Sequence, residues 1–258
     1  MKLKIKLMLL FSWFWVFSCT IAYAETYPAV LDWSDRIELS LPVSGPVDRV
    51  NVVDGQYVKK GTLLLVLGQS LFQANLIQAK SLVTQEQEDQ AEARRELDRG
   101  KELFDRTAIS IRDFKLIKIA FVQADARLRG AQAALAKAQM DLQYSRMRAP
   151  FDALILKRLV SPGQAVVSHY RVQPLIVVAR ANKMIARVQL SASQLSKLKK
   201  DDIAKVLVNG KVLSARVKYL GMEPVPGQQQ AIYNVEMEFN RDTESTLRKG
   251  QSVKVELP

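Results

Sequence analysis

The stretch "MRAPFDALILKRLVSPGQAVV", residues 147–167, decides the fold because it repeats an earlier one, "LPVSGPVDRVNVVDGQYV", residues 41–58. With Gly163 laid on Gly55, the second copy trails the first by 108 positions. Gln164 then meets Gln56, Val166 meets Val58, Val160 meets Val52 and Ile155 meets Val47. Each copy runs on into an apolar segment, "TLLLVL" after the first and "PLIVVA" after the second. The turns "DGQYVKKG" and "SPGQAV" are rich in Gly, Asp and Pro, and "VDRVNVV" and "ALILKRLV" beside them supply β-branched residues. Each copy therefore reads as half of one small β-sandwich, with the halves at 37–68 and 147–178.

Between the halves, from Gln69 to Arg146, there is no proline, and glycine occurs only at Gly100 and Gly130. Strong helix formers dominate. The second part of this segment carries an apolar stripe at alternating steps of three and four: Phe114, Ile117, Phe121, Ala124, Leu128, Ala131, Leu135, Ala138, Leu142. The first part carries a weaker one, from Phe72 through Leu76, Ala79, Val83, Ala93, Leu97 and Gly100 to Phe104, with polar Glu86 and Gln90 in two seam positions. Such steps make a heptad seam. Two seams separated by "DRTAIS" predict an antiparallel coiled-coil hairpin over 69–146, each arm about 50 Å long. The faces away from the seam read as almost wholly polar, so the arms pack on each other and stand in water. A hairpin leaves and returns at one place, so it can be inserted between the two halves without disturbing them.

From 179 to 258 the pattern returns to strands, with "MIARVQL", "AKVLV", "KVLSARVKYLG", "IYNVEMEF" and "SVKVEL" separated by turn signals such as "NGK" and "RKGQ". A short helix is expected over "SASQLSKLKKDD", capped by Ser191 or Ser193. These elements predict a small β-barrel. The fold class is mixed α+β and modular: a split lipoyl-like sandwich, an inserted helical hairpin and a barrel.

The N-terminus has a positive region at Lys2, Lys4 and Lys6, the apolar stretch "LMLLFSWFWVFSCTIA" and the small-residue site "AYA" at 22–24. Residues 1–24 therefore read as a secretory signal peptide. An uncleaved membrane anchor and lipid attachment at Cys19 are the alternatives. The formal net charge is +12, of which the three leader lysines contribute three. The rest is diffuse, without the Lys/Arg runs and interleaved aromatics of a nucleic-acid groove, so no nucleic-acid partner is expected. Cys19 is the only cysteine and His169 the only histidine, and the seven methionines are scattered. Only Met140 and Met147 approach a ligand spacing, and they read better as gap fillers at the hairpin base. The sequence holds no nucleophile motif, no phosphate loop and no convincing acid/base pair. No catalytic activity, metal or cofactor is expected.

The hairpin tip, "RGKELFDRTAISIRDF", is the informative surface. Arg99 and Leu103 are four apart and share a helical face beside the seam, which leaves both side chains available. Ser110 starts the returning arm and can cap it, with Asp113 three residues on. An exposed leucine at the end of a polar spike makes the tip adhesive.

Two half-motifs of the type G-x-V-x-x-V-x-V-x-x-G-x-x-V-x-x-G-x-x-L, split by a coiled coil and rejoined at "RAPFDA", resemble the lipoyl and hairpin domains of periplasmic adaptors. These are the membrane fusion proteins (HlyD-like family) of bacterial tripartite efflux pumps. The resemblance covers roughly residues 37–258, and "KGQSVKVEL" is similar to the closing strand of that family's barrel. It implies a non-catalytic adaptor in the periplasm, associated with the inner membrane. The implied partners are an inner-membrane transporter, an outer-membrane channel protein and further copies of the chain, six in the assembled pump. Adaptors that contact outer-membrane channels show an Arg, a Leu four later and a Ser seven after that, a spacing matched by Arg99, Leu103 and Ser110. The tip motif and the exported N-terminus favour a transporter of the resistance-nodulation-division (RND) type. An ATP-driven (ABC-type) exporter is the alternative, and a periplasmic binding protein or metallochaperone a more distant one. A lipoate or biotin carrier is disfavoured, because the coiled coil replaces the hairpin on which carriers present their lysine, and Lys59 and Lys60 sit too close to the first turn. The further membrane-proximal domain of larger members has no expected counterpart before Pro258.

Overall fold

The computed structural model describes residues 25–168, 172–228, 230–242 and 246–258. The leader with Cys19, and His169, lie outside the described residues. The chain opens with strand β1 (Thr26–Trp33), then runs through β2 (Ile37–Leu39), β3 (Gly45–Val50), β4 (Tyr57–Val58) and β5 (Leu63–Leu67). Helices α1 (Ser70–Asp105) and α2 (Ile111–Tyr144) follow. Strands β6 (Arg146–Arg148), β7 (Ala153–Arg158), β8 (Ala165–Val166) and β9 (Ile176–Arg180) complete the sandwich. The last module is β10 (Lys183–Ser191), α3 (Ala192–Leu195), β11 (Ile203–Val208), β12 (Lys211–Pro224), β13 (Ile232–Asn240) and β14 (Ser252–Glu256).

The repeat has a structural meaning. The sandwich consists of sheets β2-β9-β7-β4 and β6-β5-β3-β8. Each half sends its first and third strands into one sheet and its second and fourth into the other, so neither half forms a sheet alone. The matched residues do matched work. Gly55 and Gly163 both have φ near +85°, a region open to glycine. Gly55 N–H donates to Ile155 O and Gly163 N–H to Val47 O, both at 2.8 Å. The Gln56 side chain accepts from Val53 N–H (3.1 Å), and Gln164 accepts from Ser161 N–H (3.3 Å). Val47, Val52 and Val58 are buried in one core with Ile155, Val160 and Val166.

Every seam position of α1 from Phe72 to Phe104 and of α2 from Phe114 to Leu142 is buried or half-buried. Buried Ala124, Ala131 and Ala138 allow close approach of the helices. The polar seam residue Glu86 accepts from Arg127 Nε of α2 at 3.1 Å, and Arg94 lies over the Phe121 ring. At the base, the Gln69 amide donates to Ser145 Oγ (2.7 Å) and accepts from Arg146 Nε (3.0 Å), tying the start of α1 to the end of α2. Ser145 is fully buried.

Four expectations are corrected. The outer faces of the hairpin are not wholly polar: Ile77 on α1 and Ile111, Leu116, Ile119 and Val122 on α2 are each more than half exposed. Met140 does not fill a gap at the base but is half exposed, whereas Met147 is buried in the sandwich core. The helix after β10 stops at Leu195, because Leu198 turns into the barrel core and Asp201 adopts positive φ. Ser191 occupies its N-cap position, with its N–H donating to Gln194 Oε1 at 3.0 Å.

The fourth concerns the barrel, which closes in the order β1-β10-β13-β12-β11-β14. It therefore includes a strand from residues 26–33, upstream of the 179–258 range read from sequence. β1 pairs antiparallel with β10 on one side and β14 on the other, and its Ala29 and Leu31 enter the barrel core.

Candidate functional site

The tip is built by a helix stop and a helix start. At the end of α1, Thr107 N–H donates to Phe104 O and Ala108 N–H to Leu103 O, both at 2.8 Å. This is a Schellman closure, with Thr107 at φ +58° in the left-handed position. Ser110 then caps α2: its Oγ accepts from Asp113 N–H at 3.2 Å and donates to Asp113 Oδ2 at 2.7 Å. The Phe104 and Phe114 rings stack with centroids 5.1 Å apart and close the seam beneath the turn.

Leu103 is 38 % exposed. Arg99 is not idle, since its Nη1 bonds to Glu96 Oε1 at 2.5 Å, but its side chain remains 61 % exposed. An exposed ion pair of this kind is worth under about 1 kcal/mol, so the guanidinium is available to a better acceptor. Ser110 is exposed but engaged in the cap. The structure thus brings Arg99, Leu103 and Ser110 onto one tip, with Ser110 in a structural part and the other two facing outward. Sequence reasoning missed Ile111, exposed in the first turn of α2. Its signal was present: Ile111 lies off the seam and follows a capping serine.

The tip offers two exposed aliphatic side chains, Leu103 and Ile111, and the exposed cations Arg99 and Arg106 on a hydrogen-bonded frame. Among the described residues no group of three or more His, Cys, Asp or Glu could hold a metal. No described helix is long and apolar enough to cross a membrane.

A barrel-sandwich split by a helical hairpin and joined to a six-stranded barrel is the build of membrane fusion proteins. The profile of the CzcB-like barrel-sandwich hybrid domain matches residues 36–180, more than half of the chain, and the chain belongs to that family. It is similar to multidrug resistance protein MdtA of Pectobacterium carotovorum, 27 % identical over 151 residues that make up 58 % of this chain and 37 % of that one. It is likewise similar to MdtA of Cronobacter turicensis, 29 % identical over 126 residues, or 49 % of this chain and 30 % of that one. The chain thus spans about a third of these relatives' length. Among solved structures, the membrane fusion protein Spr0693 of Streptococcus pneumoniae superposes with a TM-score of 0.66 at 17 % identity, covering 91 % of this chain and 98 % of that one. A MacA–MexA chimera carrying the Pseudomonas aeruginosa MexA α-hairpin domain superposes with a TM-score of 0.64 at 22 % identity, covering 90 % and 77 %.

Proposed function

We propose that the chain is a non-catalytic periplasmic adaptor that joins an inner-membrane efflux transporter, of the RND type, to an outer-membrane channel protein. The observation that carries this reading is the tip: a helical hairpin rooted at one point of the barrel-sandwich, ending in exposed Leu103 and Arg99 on the frame capped by Ser110. Leu103 fills a groove between channel helices, Arg99 exchanges Glu96 for channel carbonyls or carboxylates, and Ser110 keeps the turn in shape. Copies stand side by side in a ring, six by family resemblance, with α1 of one against α2 of the next. Charge supports that pairing, because α1 carries eight acidic against five basic residues and α2 six basic against three acidic. The barrel faces the transporter.

The test is site-specific photocrosslinking from position 103 in living cells, with the adduct identified by mass spectrometry. An adduct with an outer-membrane channel protein is expected. Self-adducts alone, with a crosslinker in the barrel still capturing a transporter, would remove the docking role from Arg99 and Leu103, and with it the supporting role of Ser110.

A further inference from the structure

We propose that the joint between the barrel-sandwich and the barrel is a two-part lock that makes them one rigid arm, so that displacement of the barrel is carried to the hairpin tip. The chain crosses the joint twice, at 34–36 and 181–182, between β1 and β2 and between β9 and β10. Arg180 N–H donates to Ser34 O (3.0 Å), and Ala181 N–H to Asp152 O (2.9 Å). Two short adjacent crossings would by themselves leave a hinge. Side chains close it in two places.

The first is a clasp on the outer wall. The Asp35 carboxylate accepts from Arg180 Nε of the sandwich (2.7 Å) and from Lys218 Nζ of the barrel (3.3 Å). Arg180 is also held over the Phe151 ring, 4.8 Å from its centroid. Lys218 continues to Glu238 (2.8 Å), which also accepts from Lys183 Nζ (2.5 Å) and from the hydroxyl of fully buried Ser34 (2.6 Å). One chain of hydrogen-bonded charges thus runs from the sandwich through the crossing to β10, β12 and β13. Burial would push the Glu238 carboxyl up, but Lys183, Lys218 and Ser34 outweigh it and hold it at about 2. The Arg180 guanidinium beside Asp35 holds that carboxyl below its ordinary range. The clasp therefore stays charged near neutrality.

The second is a pin at the mouth of the barrel. Arg241 is 94 % buried, and its N–H donates to Asn182 O (2.9 Å). Its Nη2 donates to Tyr57 Oη of β4 at 2.5 Å, its guanidinium lies over the Trp33 and Tyr57 rings, and its Nη1 meets Met184 Sδ. Arginine does not discharge itself, so rocking the barrel away from Tyr57 would weaken the partnering of a buried cation. The lever is long: with an arm of about 50 Å, a rock of about 10° would move the tip by about 9 Å. Locking the joint suppresses that movement. The lock belongs to the joint alone and is independent of what the tip docks.

The test uses spin-label pairs at Lys157→Cys in the sandwich and Lys200→Cys in the barrel, both exposed, with Cys19→Ser, and double electron–electron resonance on the full chain. The otherwise unsubstituted joint should give one narrow distance distribution. Asp35→Asn combined with Tyr57→Phe keeps both shapes and should broaden it at least twofold. Lys218→Met with Tyr57→Phe should do the same, and serves where the first pair fails to fold by circular dichroism. Arg36→Gln, which removes only a surface pair with Glu38, should leave it narrow. A broad or multi-peaked distribution in the unsubstituted joint, or an unchanged width in both double variants, would overturn the proposal.

Discussion

Thr107 shows how a single residue can escape sequence reasoning. A helix that ends in a Schellman closure calls for a left-handed residue, and glycine is the usual signal. Here a β-branched threonine holds φ +58°, so "DRTAIS" located the break between the seams but did not mark Thr107 as the left-handed residue that closes α1. Gly55 and Gly163 were legible by contrast, because each sits at the same place in a repeated half-motif. A β-branched side chain in the left-handed region is strained, so Thr107→Gly should stabilise the hairpin by about 1 kcal/mol. The check is the urea midpoint followed by helical circular dichroism. An unchanged or lower midpoint would mean that the Thr107 hydroxyl, which donates to Arg106 O at 2.7 Å, offsets the strain. Ser110, the cap on the other side of the turn, was readable because a serine three residues before an aspartate has a local signature.

At the scale of elements, the hairpin seam was legible because alternating steps of three and four have one geometric solution. What the steps could not explain was the polar pair Glu86 and Gln90. The Glu86 side chain is only 12 % exposed and meets Arg127 from the opposite helix. A charge pair at one rung of a largely apolar seam penalises sliding by a heptad, because a slipped register would bury Glu86 against apolar side chains. Glu86→Lys sets two cations at that rung and should lower hairpin stability by about 1–2 kcal/mol. Adding Arg127→Glu to Glu86→Lys restores an opposite pair and should recover most of the loss, a double-mutant cycle read by thermal denaturation. Additive losses would show that the pair does not set the register.

At the scale of the whole molecule, the barrel closure was out of reach of local reading. β1 lies about 150 residues before β10 and more than 200 before β14, so "TYPAVLDW" has no neighbour in sequence to announce its partners. The outer stripe of α2 was hidden differently. Leu116, Ile119 and Val122 lie off the seam among Lys115, Lys118 and Gln123, and read singly they are unremarkable surface residues. In the folded hairpin Leu116, Ile119 and Val122, three apart in succession, share the side away from the seam, and each is more than half exposed. Aliphatic side chains left in water forgo roughly 1.5–3 kcal/mol each relative to full burial. A neighbouring copy presenting net-acidic α1 to this net-basic helix would cover them. Leu116→Glu with Ile119→Glu should weaken self-association at least tenfold in sedimentation velocity. Helical content should stay constant, because neither residue touches the seam. Retained association would move the copy–copy contact away from the hairpins, to the sandwich or barrel. Loss of helicity would mean instead that the stripe supports the hairpin itself, and the ring geometry proposed above would lose its hairpin contact.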